Sequence, residues 1–231
     1  MASPTRARRR RSLFSRILRA LIALVLAFYA IVAFGLLLLR SVTPVTTAVH
    51  IERRIEAAMQ RKAYRKSYTF VPLAAISVNL QHAVVAAEDA QFFQHHGFDW
   101  NQVQIAVKED MEGGRRRGAS TITQQLVKNL FLGTSRSFVR KGIEFTIVPM
   151  AEGLLSKRRI LELYLNVIEW GPGIYGAQAA SERYYAIPAG KLTREQSVGL
   201  AEVIPAPLRR KPGRLPEYGA AIEERMAQMR W

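Results

Sequence analysis

The sequence predicts a mainly α-helical protein preceded by one N-terminal transmembrane helix. Three observations carry that prediction. Residues 20–39 form a run without a charge. From about residue 72 onward, apolar residues recur at helical spacing. No convincing run of strand alternation, internal repeat or long low-complexity tract interrupts them.

The apolar run is bounded by Arg19 and Arg40. At about 1.5 Å per residue, a helix of that length spans the roughly 30 Å hydrocarbon core of a bilayer. A cleaved signal peptide has a shorter apolar region, roughly 7–15 residues, and then a small-residue cleavage site. No clear site of that kind follows Leu39, so an uncleaved anchor is expected. Arg6, Arg8, Arg9, Arg10, Arg11, Arg16 and Arg19 precede the span with no acid among them. Positive charge is retained in the cytoplasm, so residues 41–231 are expected on the far side.

The net charge of +16 divides informatively. Eight arginines and no acids lie in residues 1–40, whereas the rest carries 26 basic and 18 acidic residues. Half of the basicity therefore serves topology. The other half favours an anionic partner such as phosphate or lipid head groups, and the expected topology argues against nucleic acid. The absence of cysteine is compatible with an oxidising compartment.

Residues 40–71 read as a polar connector with a helical piece near Ile51–Met59. Helical signals then appear at 79–96, 101–112, 121–132, 138–155, 157–169, 174–185, 194–204 and 217–229. Thr121 with Gln124, and Thr193 with Gln196, have capping-box spacing. Ser156 suits the N-cap of the helix through Ile160, Tyr164 and Leu165. Pro205 and Pro207 are expected to end the helix that begins near residue 194.

Three segments carry potential chemistry. Leu80, Val84, Glu88 and Phe92 follow at i+4 steps, which puts an acid on an apolar helical face, with Gly97 as the expected left-handed stop. Such an acid is either paired in the core or held at a raised pKa for proton transfer, and the stripe alone does not choose. Residues 113–129 form a glycine-rich, basic stretch leading into a helix start. Its backbone amides, with Ser120, Thr121, Gln124 and Lys128, and with Arg136 and Arg140 beyond, suit a phosphate. A solvated basic loop is the alternative, and the spacing is not that of a Walker P-loop. In Arg140-Lys-Gly-Ile-Glu144, the acid is either one half of a surface ion pair or a buried anchor for Arg140 and Lys141. His95 and His96 are adjacent and no His-Glu-x-x-His occurs, which disfavours zinc. No serine precedes a lysine by three positions and no Gly-x-Ser-x-Gly is present, so a serine acyl-enzyme is unsupported.

Taken in order, these segments resemble a known family. Glu88-Asp89-x-x-Phe92-x-x-His95-x-Gly97-x-Asp99 is similar to the first motif of the peptidoglycan glycosyltransferases, glycosyltransferase family 51. Gly118-Ala-Ser-Thr-Ile-Thr-Gln-Gln125 with Lys128 and Asn129 resembles the second, and Arg140-Lys-x-x-Glu144 the third. Ile160-Leu-Glu-Leu-Tyr164-Leu-Asn166, continuing to Gly171-x-Gly-x-x-Gly176, resembles the fourth, and Ala201 to Pro207 the last. The resemblance covers roughly residues 72–215. It is closest to a monofunctional member without a transpeptidase region, and Glu169-Trp-Gly-Pro-Gly-Ile-Tyr175 looks like the Gram-negative form. One departure is visible: Leu208-Arg-Arg-Lys-Pro212 stands where the family often has Tyr-Asn-Pro.

The resemblance implies a lysozyme-like α domain over 72–231 with a smaller membrane-facing lobe. The other segments are then a basic cytoplasmic stretch (1–19), the transmembrane helix (20–39) and the connector (40–71). It implies an enzyme of the cytoplasmic (inner) membrane, its catalytic domain periplasmic, that polymerises lipid II into β-1,4 glycan with inversion. Glu88 and Glu144 are the implied catalytic residues, with Glu88 as general base. Ser120, Thr121, Gln124, Lys128, Arg136, Arg140 and Lys141 are the implied pyrophosphate-binding set. Asp89, Phe92, His95, Gly97, Tyr164 and Asn166 support the motifs. No cofactor is obligatory, although Glu144 is compatible with a divalent cation, Mg or Mn. Implied partners are lipid II, the growing glycan, the bilayer and other wall-synthesis or division proteins. Phe131, Leu132 and Phe138 are either core residues or a surface that dips into the membrane interface. A lytic muramidase and a non-catalytic wall scaffold are the competing functions.

Overall fold

A 34-residue helix, α1 (Thr5–Leu38), opens the chain, and its C-terminal end is built into the body of the protein. The computed structural model describes residues 5–111, 120–135 and 137–231. Within α1, Leu21, Leu24, Leu26, Ile31 and Phe34 are exposed, as an apolar surface for lipid requires. Residues Leu13–Leu38 meet the length and composition of a single membrane span. The last turns of α1, however, pack onto the body through Val32, Leu36 and Leu39. The Tyr29 hydroxyl and Thr146 Oγ1 lie 2.6 Å apart. Just past the end of the helix, Arg159 donates to Leu39 O (2.7 Å) and Val42 O (2.8 Å).

Residues 40–71 contain α2 (Ala48–Met59) and β1 (Ser67–Tyr68). The helix starts on Thr47, whose side chain accepts from His50 N. It is bound to the body by Arg53, which donates to Glu169 (3.1 Å), and by Glu52, which accepts from Thr134. Strand β1 pairs in parallel with β3 (Ile174–Tyr175), which pairs antiparallel with β2 (Glu169–Gly171), giving the order β1-β3-β2. The sequence pattern does not show this small sheet, and it places residues 174–175 in a helix. Strands of two or three residues buried on both faces cannot show alternation. The helix α8 (Ala177–Tyr185) begins only after Gly176.

Helix α3 (Val78–Glu88) is the central element, packed against α9 (Arg194–Ala201) and α10 (Pro216–Gln228). It ends well before the end of the helix that its apolar stripe predicts. Asp89 leaves the helix at φ −162°, because its carboxylate is engaged by groups outside α3. Residues 90–97 are turns and bends, yet Phe92 is still fully buried. Gly97 does have a positive φ, +93°, although it closes a turn rather than a helix. Helix α4 (Trp100–Met111) starts on Asp99, whose Oδ1 accepts from Gln102 N.

Helix α5 (Ile122–Val127) opens with the Thr121–Gln124 capping box and widens into a π-turn over Lys128–Leu132, so the expected helix 121–132 is two conformations. Helix α6 (Phe138–Leu154) follows, and α7 (Lys157–Val167) starts on Ser156, in agreement with its sequence. Thr193 and Gln196 form the second capping box, but α9 ends at Ala201, before either proline. The core gathers Leu80, Val84, Ile122, Leu126, Ile147 and Tyr164 around α3, α5, α6 and α7.

His50 shows how firmly α2 is seated. Its ring lies between Tyr68 and Tyr175, with centroids at 5.2 and 4.0 Å, and Nε2 donates to Val167 O at 3.3 Å. Burial, with the Lys66 charge nearby, pushes its pKa down to about 4. The unfolded chain protonates His50 below about pH 6.5 and the folded chain does not, so this residue favours unfolding as the pH falls from 6.5 through 4. Thermal melts of wild type and His50→Gln between about pH 7 and 4 should therefore differ in slope. The wild type should lose stability more steeply, and parallel curves would refute the assignment.

Candidate active site

Glu88 ends α3 and stands beside α5 and α7. Its Oε2 accepts from Gln125 Nε2 at 2.7 Å, and the Gln125 Oε1 in turn accepts from the Tyr164 hydroxyl at 3.0 Å. Tyr164 thereby sets the orientation of the amide and leaves its NH2 aimed at the carboxylate. Burial, with the charges of Glu88 and Asp89, raises the Tyr164 pKa well above 10, so the phenol stays a donor. For Glu88 itself, burial raises the pKa, against the lowering effects of the Gln125 hydrogen bond and the Lys128 and Arg210 charges. Loss of hydration wins. Glu88 thus has a neutral amide partner, Gln125, where the sequence left a core pairing and a raised pKa both open.

Asp89, next along the chain, is turned inward. Its Oδ2 accepts from Ile122 N at 3.0 Å, and both oxygens lie within 3.0 Å of His95 Nε2. His95 Nδ1 accepts from Gly97 N at 3.1 Å, which leaves Nε2 as the protonated nitrogen in the neutral ring. Gly97 O accepts from Thr121 Oγ1 at 2.7 Å. A Cβ on Gly97 would lie 2.5 Å from Val148 Cγ1. The first-motif residues thus form one closed loop of hydrogen bonds from the end of α3 to the start of α5.

The expected phosphate cradle looks different in space. Thr121 and Gln124 are buried and committed to each other, Thr121 N donating to Gln124 Oε1 and Gln124 N to Thr121 Oγ1. With Ile122 N on Asp89, little of the helix start remains free, so these side chains hold it in shape instead of presenting donors. Ser120 is exposed. Arg136 and the glycine-rich residues 112–119 lie outside the described residues. Asn166 is also structural: it brackets Val71, accepting from its N and donating to its O, both at 2.9 Å. Phe92 carries the Lys157 ammonium over its ring.

The second acid is buried. Glu144 is 2% exposed, its Oε2 accepting from Arg140 Nη1 (2.7 Å) and its Oε1 from Lys141 Nζ (2.5 Å). Arg140 is fixed further by Ser135 O. Burial thus decides between the surface pair and the buried anchor in favour of the anchor. Lys128 belongs to both acids electrostatically. Burial lowers its pKa, Arg140 and Lys141 lower it further, and Glu144 and Glu88 oppose that. Both Glu144 oxygens are thus engaged by cations. No cluster of three metal-ligating side chains occurs among the described residues.

Two residues of the site escape the sequence reading. Gln125, the neighbour of Gln124, is the one that reaches Glu88. Arg210, within the departing Leu208–Pro212 segment, bears electrostatically on Glu88 while its Nη1 donates to Glu202 O and its guanidinium lies over Tyr218. For Gln125 the Thr-Gln-Gln motif is a signal. For Arg210 only the departure itself is.

Fold and site together define a helical enzyme domain behind an apolar N-terminal helix, with one half-buried acid and a second acid surrounded by cations. The chain belongs to the transglycosylase family, whose model matches residues 54–230. It is 44% identical over 198 residues to the biosynthetic peptidoglycan transglycosylase of Neisseria meningitidis serogroup C strain FAM18, covering 84% of this chain and 85% of that one. The protein of the same name from Azoarcus sp. strain BH72 is 46% identical over 180 residues, 77% and 78% of the two chains. That from Pseudomonas entomophila is 40% identical over 222 residues, 94% and 92%.

Substitution at Gly97 tests the closed loop of hydrogen bonds. Gly97→Ala places an alanine at φ +93° against Val148 and should cost about 1–3 kcal/mol. Chemical denaturation reads this out, and an unchanged midpoint would contradict the geometry.

Proposed function

We propose that this protein polymerises lipid II into β-1,4-linked glycan strands with inversion at the anomeric carbon, releasing undecaprenyl pyrophosphate at the outer face of the cytoplasmic membrane. The name shared by its relatives, biosynthetic peptidoglycan transglycosylase, supports the substrate class. The observation that carries the chemistry is the pairing of a half-buried, raised-pKa Glu88 with the Lys128, Arg140 and Lys141 cations around Glu144.

In this reading Glu88 is the general base. The acceptor's GlcNAc 4-hydroxyl forms the new bond to the donor's anomeric carbon, its proton passes to the Glu88 carboxylate, and the bond to the pyrophosphate oxygen breaks. The electron pair leaves with the pyrophosphate, which is already a stable anion and needs charge stabilisation more than a proton. Lys128, Arg140 and Lys141 supply it. Glu144 holds Arg140 and Lys141 in place and keeps part of their charge compensated before the substrate binds. Gln125 and Tyr164 hold the Glu88 carboxylate in one orientation.

The positive residues before the apolar run favour a cytoplasmic N-terminus and an external domain. Phe131 and Leu132 pack partly against the core, but Phe138 is 99% exposed and Val139 73% exposed at the start of α6. Those two suit the membrane interface, where a polyprenyl substrate stays. A lytic muramidase has no use for the cations around Glu144, so polymerisation is the better reading.

Polymerisation of lipid II by the purified full chain tests the proposal. Glu88→Gln should lower turnover on the order of 10²–10⁴-fold. In the wild type, the acid limb of the kcat profile should lie above the ordinary glutamate range, since the base works only when deprotonated and its pKa is raised. Near-wild-type activity of Glu88→Gln would sink the base assignment. Lys141→Ala should abolish polymerisation while far-UV circular dichroism stays unchanged, and an unaltered rate and product length would exclude it from leaving-group stabilisation.

A further inference from the structure

Helix α3 ends at Glu88 without a glycine cap, because Asp89 turns away in an extended conformation. Asp89 N donates to Val85 O, so the next carbonyls, those of Ala86 and Ala87, have no amide of the helix to accept from. They also lie at the negative end of the helix dipole, in the turn that ends on Glu88. Arg225, far along the chain in α10, meets them. Its Nη1 donates to Ala86 O at 2.9 Å and to Ala87 O at 3.2 Å.

We propose that Arg225 is a positioning residue for the reaction, fixing the last turn of α3 and so the backbone from which Glu88 presents its carboxylate. The proposal rests on Glu88 being the base. Arg225 reaches main chain in α3, and it acts through Glu88 alone. The hydrogen bond from Gln125 steadies the tip of that side chain. The stem depends on a helix end whose last carbonyls are met from α10. Helices α10 and α3 pack together, which makes α10 a splint for the turn that carries the base. A displacement of about 1 Å at a reacting group can cost on the order of 10²-fold in rate, so the consequence should be kinetic as well as structural.

Charge gives a second, separable signature. Among the described residues, the groups that bear on Glu88 are Gln125 and Lys128 from α5 and its π-turn, Tyr164 from α7, Arg210 after α9, and the neighbouring Asp89. All of these are retained when Arg225 is replaced. Removing its guanidinium takes a positive charge from the last turn of α3 and leaves two carbonyl dipoles of that turn unmet, which disfavours a negative charge on the residue that ends it.

The test uses the full chain, with lipid II polymerisation measured across pH for wild type, Arg225→Met, Arg225→Lys and Glu88→Gln, and thermal midpoints for each. Arg225→Met should lower kcat by about tenfold or more with KM within about twofold, and move the acid limb to higher pH. Arg225→Lys keeps a cation that can reach one carbonyl and should recover most of kcat and the wild-type limb. A kcat for Arg225→Met within about twofold of wild type, with an unmoved limb, overturns the proposal while an inactive Glu88→Gln leaves the base assignment standing. An active Glu88→Gln overturns both. If Arg225→Met does not fold, Arg225→Lys decides: activity that falls only in proportion to the folded fraction means a structural cap and nothing more.

Discussion

The carboxylate of Asp89 cannot be left unpartnered in the interior, and that constraint organises the site. A buried charge loses its hydration and must recover hydrogen bonds from the protein. Here it takes the Ile122 amide at the start of α5 and the His95 ring from the following turn. Those contacts require α3 to stop at Glu88, and they require the chain to curl through residues 90–97, where glycine at position 97 suits the φ and the closeness of Val148. The consequence for chemistry is positional. With α3 stopped there, Glu88 points towards α5, where Gln125 is the partner it meets.

The two acids of the site are held by opposite means. Glu88 is partly buried, which raises its pKa against the lowering effect of its hydrogen bond from Gln125. Glu144 has two cations and full burial, which leaves it a fixed counter-charge. Lys128 stands under the influence of both, and burial together with Arg140 and Lys141 makes its own charge costly until an anion arrives. A pyrophosphate leaving group would relieve that cost. The arrangement is therefore asymmetric, with an acid of raised pKa at one end and a cluster of cations at the other.

The apolar N-terminal helix is more than a tether. Its last turns are buried against the body, Tyr29 meets Thr146 on α6, and Arg159 of α7 holds the chain just past its end through Leu39 O and Val42 O. Helix α2 adds Arg53 on Glu169 and Glu52 on Thr134, just ahead of α6 with its Arg140 and Lys141. The basic side of the site is thus braced by the same segments that lead out of the apolar span. The exposed Phe138 and Val139 lie at the start of that helix.

By itself the sequence determined the helical class, the apolar span and the three N-caps at Thr121, Ser156 and Thr193, and it marked Glu88 and Glu144 as the candidate acids. All of these are local: caps act over about three residues, helical stripes over about four, and a bilayer span over roughly twenty. Tertiary structure decided the rest, because the deciding contacts join segments far apart in the chain. Asp89 with Ile122 shortened α3 and turned Gly97 from a helix stop into a turn. Burial of Glu144 settled which kind of ion pair it forms. The inward commitment of Thr121 and Gln124 removed the expected phosphate cradle and passed the important contact to Gln125. The small sheet of β1, β3 and β2 was invisible for the same reason: strands so short carry no period, and only the backbone of a distant segment makes them strands.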